Sequence, residues 1–288
     1  MEPGQALGAC GAAVFPGGFD RRPGPWFEAR GKPAAVPQRN TIASRPGPAK
    51  SVSALSCRAA PLAVGGIVPL TTIDYPGELA AVVFCQGCPW RCRYCQNTHL
   101  VPRQLGAEIT WDDVRELLQR RRGLLDAVVF SGGEPTLQRG LPEAVREVRT
   151  LGFRVGLHTA GCYPERLDEV LPFVDWVGLD IKALPEEYTA LTRAPGSGEH
   201  AFRSLACLLE SGVAHEVRVT VHDALLPPPK LRRLIDLLNE YGAGKIVLQR
   251  CRTQAVLDPG LGDNTLPWPY PVRCSAESWT GAGPTRFP

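Results

Sequence analysis

The chain has 288 residues, enough for one large domain or two small ones. Hydrophobic residues make up 44% and charged residues 21%, which rules out a wholly disordered chain and allows a sizeable core. Thirty-two basic against 29 acidic residues leave only +3, too little to argue for a nucleic-acid partner, and no run of about eighteen apolar residues marks a membrane helix.

Residues 1–62 read as a disordered extension. Gly, Pro and Ala fill 28 of the first 60 positions without any apolar period, so the segment cannot bury enough surface to offset its ordering entropy. The first 60 residues carry +5, and the 228 residues after them sum to −2. Arg21-Arg22 runs straight into Pro-Gly-Pro with no apolar stretch behind it, which argues against a secretory signal. A transit peptide fits the acid-poor bias only loosely. The lone methionine, Met1, suggests a start assigned too far upstream, with translation beginning near Val64; an intact Met1 peptide in the native protein would overturn that.

Beyond the extension, short Val-rich runs predict buried parallel strands at Ala80–Phe84, Ala127–Phe130, Phe153–Leu157, Trp176–Leu179, Glu216–Val221 and Lys245–Leu248. Amphipathic helices are predicted between most of them. Trp111–Arg121 has Thr110 as N-cap and Asp112-Asp113 in its first turn. Leu141–Leu151, Pro164–Leu171, Ala201–Ser211 and Pro229–Tyr241 are the others, with Gly152, Gly212 and Gly242 at C′ positions. Residues 63–252 therefore read as an α/β domain, a parallel sheet with helices outside, closed or partly closed as a barrel; a doubly wound open sheet gives the same pattern. Residues 253–288, with six prolines, read as an irregular tail that Trp268 and Tyr270 could pack onto the domain.

Both architectures bind ligands at the carboxyl ends of the strands. Cys85–Cys95 follows the first predicted strand, Ser131–Glu134 the second and His158-Thr159 the third. Asp180 and Lys182 follow the fourth, Arg218 and His222 sit on or after the fifth, and Gln249-Arg250 ends the sixth. Arg218 lies in an apolar strand, where a charge needs a partner.

Four of the ten cysteines fall within eleven residues, Cys85-Gln-Gly-Cys88-Pro-Trp-Arg-Cys92-Arg-Tyr-Cys95, a density that points to metal ligation. Structural zinc draws its thiolates from two knuckles well apart in sequence, and here only three residues divide the two CxxC pairs. A ferredoxin-type cluster uses C-x2-C-x2-C with a distant fourth ligand and a different proline position. Cys88-x3-Cys92-x2-Cys95 can hold three corners of a [4Fe–4S] cube and leave the fourth iron open. Cys162, Cys207 and Cys251 stand alone, so no second cluster is expected, and Cys85 reads as a buried strand-end thiol.

This loop resembles the radical S-adenosylmethionine (SAM) superfamily, whose signature is CxxxCxxC with an aromatic residue, here Tyr94, before the last cysteine. The resemblance implies a partial (β/α)6 barrel, a [4Fe–4S] cluster on Cys88, Cys92 and Cys95, and adenine beside Tyr94. Gly132-Gly133-Glu134 is similar to the family's second motif. Two glycines let the backbone approach a ligand and present carbonyls to an ammonium, and Glu134 would add a charge-assisted bond to it. In the family that ammonium belongs to SAM. Lys182 would neutralise the SAM carboxylate and Asp180 order it or a bound cation, although the two also read as a solvated loop pair. His158, Thr159 and His222 complete the candidate SAM contacts, although a lone histidine at a strand end, as His222 is, more often serves structure alone. No residue is given a catalytic role.

Residues 68–77, 86–92, 157–161 and 175–182 resemble one subgroup, the anaerobic ribonucleoside-triphosphate reductase activating proteins among the glycyl-radical-enzyme activases. The resemblance runs from about Gly65 to Arg252. It implies reductive cleavage of SAM and abstraction of a Cα hydrogen from a glycine of a partner enzyme, anaerobic ribonucleotide reductase. It also implies a low-potential donor such as flavodoxin or ferredoxin; ten cysteines without a secretion signal point to a reducing cytoplasm, and charge and hydropathy to no nucleic acid and no membrane. His158-Thr159 departs from pyruvate formate-lyase activases, which carry an acidic residue beside that threonine. The alternatives are a radical SAM enzyme acting on a small molecule, such as a deazapurine synthase, and a zinc or electron-transfer module, which would need no Gly-Gly-Glu motif.

Overall fold

A computed structural model describes residues 61–103 and 109–265. The expectations for the N-terminal extension up to residue 60, and for the tail from residue 266 with Trp268 and Tyr270, lie outside the described residues.

Seven strands form one sheet in sequence order: β1 (Val64–Thr71), β2 (Ala80–Cys85), β3 (Ala127–Gly132), β4 (Arg154–Thr159), β5 (Trp176–Asp180), β6 (Ala214–Val221) and β7 (Ile246–Arg250). The six predicted strands are β2 to β7, each parallel to the next. An order that never reverses excludes the doubly wound alternative and fits an open-sided (β/α)6 barrel with β1 and β7 at its edges. β1 is an addition that the sequence pattern conceals. Gly65, Gly66 and Pro69 break its alternation, and its antiparallel pairing with β2 slips at Val64/Gly66 and again at Val68/Thr71. The second slip contains Pro69, which has no N–H to give a ladder.

The helices are α1 (Trp111–Arg120), α2 (Leu141–Thr150), α3 (Pro164–Val170), α4 (Tyr188–Thr192), α5 (Ser197–Ser211) and α6 (Pro228–Glu240). Thr110 caps α1 as expected and forms a capping box, its hydroxyl accepting from Asp113 N–H while the Asp113 carboxylate accepts from Thr110 N–H. α5 begins four residues earlier than Ala201. α4, five residues long, is too short to show a helical period.

All six positions of β2 are buried, because both of its faces are covered. Ala81, Val83 and Cys85 join the core shared with the helices. Ala80, Val82 and Phe84 face inward, with Ala127, Val129, Tyr75 and Trp176. The Tyr75 and Trp176 rings stand 5.3 Å apart and plug the interior. Gly156 makes room for this, since a Cβ there would lie 3.0 Å from the Tyr75 ring. Among the described residues no helix is long and apolar enough to cross a membrane.

Candidate active site at the strand ends

A cavity of about 590 Å³ opens at the carboxyl ends of the parallel strands, within the range of about 300–1,000 Å³ typical of small-molecule sites. Cys88, Cys92, Tyr94 and Cys95 line it from the loop after β2, and Gly132 and Gly133 from the end of β3. His158 and Thr159 of β4, Asp180 at the end of β5, Lys182 just beyond it and Arg218 of β6 also line it. The structure thus brings together all but two of the predicted site residues. Glu134 and His222 do not border the cavity.

The cysteine loop is braced on three sides. Gly87 and Cys88 donate their N–H groups to the carbonyls of Leu100 (2.8 Å) and Val101 (3.1 Å). Arg91 and Arg93 donate to Thr192 (2.8 Å) and Leu191 (3.1 Å) in α4. Leu257 and Asp258, in the part of the predicted tail that the structure describes, donate to the carbonyls of Cys95 and Arg93 at 2.9 Å each. An ion pair between Arg93 and Asp258 (2.7 Å) fastens the same edge. Burial pushes the Cys88 thiol up to about 12 and Cys92 up to about 11, so binding iron means displacing protons from both. Among the described residues no three Cys, His, Asp or Glu side chains converge on one point as a single metal ion requires. Cys88, Cys92 and Cys95 share one wall of the cavity. Cys85, fully buried, lies outside the lining, as expected for a strand-end thiol.

The Gly-Gly-Glu stretch has a different local logic from the one its sequence suggests. Gly133 N–H donates to Cys85 O and Glu134 N–H to Gly87 O, both at 2.9 Å. Gly132 adopts φ +112°, and a Cβ on it would stand 2.7 Å from Cys85 O. A Cβ on Gly133 would stand 2.7 Å from the Gly87 carbonyl carbon. Close approach to the cysteine loop is by itself enough to require both glycines. The Glu134 carboxylate, fully buried, accepts from Thr136 N–H (3.0 Å), Thr136 Oγ1 (2.6 Å), Thr159 Oγ1 (2.6 Å) and Ala160 N–H (3.0 Å). Three of these bonds reach Oε1 and one reaches Oε2, and the carboxylate lies off the cavity lining, behind the Gly-Gly turn.

Charge is concentrated at β5 and β6. Asp180 accepts from Arg218 Nε at 3.0 Å and from Lys182 Nζ at 3.3 Å. Burial alone would raise the Asp180 carboxyl, but Lys182 and Arg218 outweigh it and hold the group below the usual carboxylate range. Arg218 also donates to Gly178 O at 3.1 Å, and a Cβ on Gly178 would stand 2.6 Å from the guanidinium carbon. The partner that an arginine in an apolar strand demands is thus Asp180, reached across a glycine gap. Lys182 Nζ sits 5.7 Å from the Tyr94 ring centre. The Tyr94 hydroxyl is buried without a hydrogen-bond partner, the mark of a wall that a ligand completes.

His158 donates Nε2–H to Asp74 O at 2.8 Å and packs edge-on against Trp176. Burial and the nearby Arg218 lower its pKa to about 3, so the ring is neutral at physiological pH. Asp74, which lines the cavity from the loop after β1, went unrecognised in the sequence; its hydroxyl partner is Thr71 at 2.6 Å. Its only signal was its place in the 68–77 segment. His222 is fully buried; its Nδ1 accepts from Ala224 N–H (3.2 Å) and its Nε2 donates to Gly262 O (3.3 Å), a structural role.

Residues 82–247 match the family model described as the radical SAM superfamily. The protein named "Putative glycyl-radical enzyme activating enzyme" in Methanocaldococcus jannaschii is 32% identical over 170 residues, covering 57% of this chain and 68% of that one. The pyruvate formate-lyase-activating enzyme of Clostridium pasteurianum is 31% identical over 187 residues, covering 61% of this chain and 76% of that one. A solved structure, native anSMEcpe with bound AdoMet, aligns with a TM-score of 0.49 at 16% identity, over 61% of this chain and 54% of that one, a likeness too slight to argue from.

Proposed function

Since this chain belongs to the radical SAM superfamily, whose enzymes use a [4Fe–4S] cluster and SAM, we propose that it activates a glycyl-radical enzyme, with anaerobic ribonucleoside-triphosphate reductase as the partner. One observation carries the reading: three thiols of one braced loop, a Gly-Gly strand end and a paired lysine share a single cavity. When bound, the cluster supplies the electron for reductive cleavage of SAM, whose 5′-deoxyadenosyl group takes a hydrogen atom from a glycine Cα.

The chain's own residues fit those groups. Cys88, Cys92 and Cys95 would hold the cluster. Gly132 and Gly133 line the cavity, where their carbonyls would accept from an ammonium. Lys182, held by Asp180, offers a cation to a carboxylate. Tyr94, Trp90 and Phe84 supply apolar wall that limits water around the reacting groups. Neutral His158 adds no charge that would repel a cationic ligand. Free thiols at Cys85, Cys88, Cys92, Cys95, Cys162 and Cys251 suit a reducing, cytoplasmic setting.

Anaerobic reconstitution of the full chain tests the reading. The expected result is about four irons per chain, 5′-deoxyadenosine formed on reduction, and a glycyl-radical signal on the reductase. SAM cleavage without any protein radical would point to a small-molecule substrate instead; a tightly held zinc and no iron would end the proposal.

A further inference from the structure

Part of the stretch that reads in sequence as an irregular tail builds the site. Residues 252–264 form a strap that leaves from and returns to the carboxyl ends of β6 and β7. Cys251 N–H and Asn264 Nδ2 both donate to Val221 O, at 2.9 and 2.8 Å, and Arg250 Nη2 donates to Asn264 O at 2.9 Å. Between those ends the strap crosses to the cysteine loop after β2, a strand that β7 does not pair with. Leu257 and Asp258 N–H reach Cys95 O and Arg93 O, and Gln96 Nε2 donates to Arg252 O, all at 2.9 Å. Arg252, Thr253, Gln254, Asp263 and Asn264 of the strap line the same cavity as the three thiols. One side chain fastens the crossing: Asp258 Oδ2 accepts from Arg93 Nε at 2.7 Å while its Oδ1 accepts from Gly260 N–H at 3.0 Å. Arg93 above all, with the Gly260 N–H and Arg193 adding, holds the Asp258 carboxyl below the usual carboxylate range. Ala255, in mid-strap, adopts φ +57°, a left-handed backbone that alanine disfavours and that persists where its surroundings fix it.

We propose that this strap is a working wall of the site and that Asp258 is its latch, a positioning residue that acts through Arg93 on the cysteine loop. The inference rests on the activase reading, since it takes the loop to hold the cluster and the cavity to hold SAM. Its physical basis is where the bonds fall. The strap grips the carbonyls of Arg93 and Cys95, on either side of Tyr94, so a loose strap frees the stretch of loop that carries the last thiol and the aromatic wall. The same release lets the strap's lining residues move away from the thiols. The latch is half-shielded, with Arg93 34% and Asp258 19% exposed, so losing its charge should have a modest effect and spare the fold.

Asp258→Asn keeps an acceptor for Gly260 N–H and removes the charge that holds Arg93. The first measurement needs no cluster: trypsin acts on the full-length chain before reconstitution, and the fragments are identified by mass. The bond after Arg252, an exposed strap residue, should be cut about fivefold faster in the variant. The bond after Arg122, exposed between α1 and β3, should be cut at the parent's rate. After anaerobic reconstitution, iron should pass to a chelator about fivefold faster, and SAM should bind about fivefold more weakly by calorimetry. Asp258→Glu, which keeps the charge, should stay near the parent in all three. Equal cutting after Arg252 overturns the latch, and so does faster cutting at both bonds, which would mean a general loss of stability. Faster cutting after Arg252 with unchanged iron release and SAM affinity overturns the positioning role and leaves the strap a surface tie. A parent that takes up no iron sinks the activase reading instead, with the tryptic comparison still standing.

Discussion

The corner between β2 and β3 is held close mainly by peptide hydrogen bonds, whereas the ends of β5 and β6 add an ionic cluster to their backbone link, Ile181 N–H donating to Arg218 O at 2.9 Å. At the first corner, two peptide hydrogen bonds and two glycines hold the Gly-Gly turn flush against the cysteine loop. At the second, Asp180 is gripped by Arg218 and Lys182, and a single glycine leaves room for the guanidinium. A backbone contact has no slack, so it fixes the loop that carries the thiols. An ionic contact can shift by a rotamer, so it sets charge and orientation while tolerating small displacements. The two corners should therefore fail differently.

The largest effect is expected at the backbone corner. Gly132→Ala would need φ +112° from a residue that strongly disfavours it, and its Cβ would meet Cys85 backbone that cannot step aside. Strain and overpacking together should cost about 3–5 kcal/mol, with iron uptake falling toward zero. Denaturant unfolding and iron content read both, and a loss under about 1 kcal/mol with full iron loading would show that the turn can relax.

Gly178→Ala tests the ionic corner. Here the new Cβ meets the tip of a flexible side chain, so the fold should lose only about 1–2 kcal/mol. The displaced guanidinium would release Asp180, and with it the hold on Lys182. SAM affinity, measured by calorimetry on the reconstituted enzyme, should drop about tenfold, or ~1.4 kcal/mol. Equal affinity in the two proteins would detach Arg218 from ligand binding and leave it a purely structural ion.

The contrast also explains what was legible beforehand. Val-rich runs bounded by polar strand ends exposed β2 to β7, and the spacing Cys88-x3-Cys92-x2-Cys95 marked the loop. Those signals are local. β1 escaped because glycines, a proline and two register slips erase its period. The motif marked Glu134 but not its orientation, because its donors include Thr159 and Ala160, twenty-five and twenty-six residues away, and no local pattern encodes their convergence. Nor could the sequence show what holds His222, since its Gly262 partner lies forty residues on. Arg218 was the exception: a charge in an apolar strand announces that it has a partner, even when the sequence does not say which.

His158 sits between the corners, next to Thr159 on one side and facing Arg218 on the other, and its effect should be the smallest. Burial first, then Arg218, lowers its pKa from 6.5 to about 3. Below pH 6.5 the unfolded chain takes up a proton that the folded protein refuses until about pH 3, so stability falls as the solution is acidified across that window. The slope from one group is at most about 1.4 kcal/mol per pH unit. Asp180 cannot account for it. Its folded pKa lies below the ordinary 3.8, so its contribution is present above that value and is lost only at lower pH. His158→Gln keeps a donor for Asp74 O and removes the titration. Urea unfolding of both proteins across that window should give a flatter acid limb for the variant, with a residual slope from His99, which burial also lowers. Parallel curves would mean that the ring is already protonated in the fold, and that the cavity carries one more positive charge than its geometry implies.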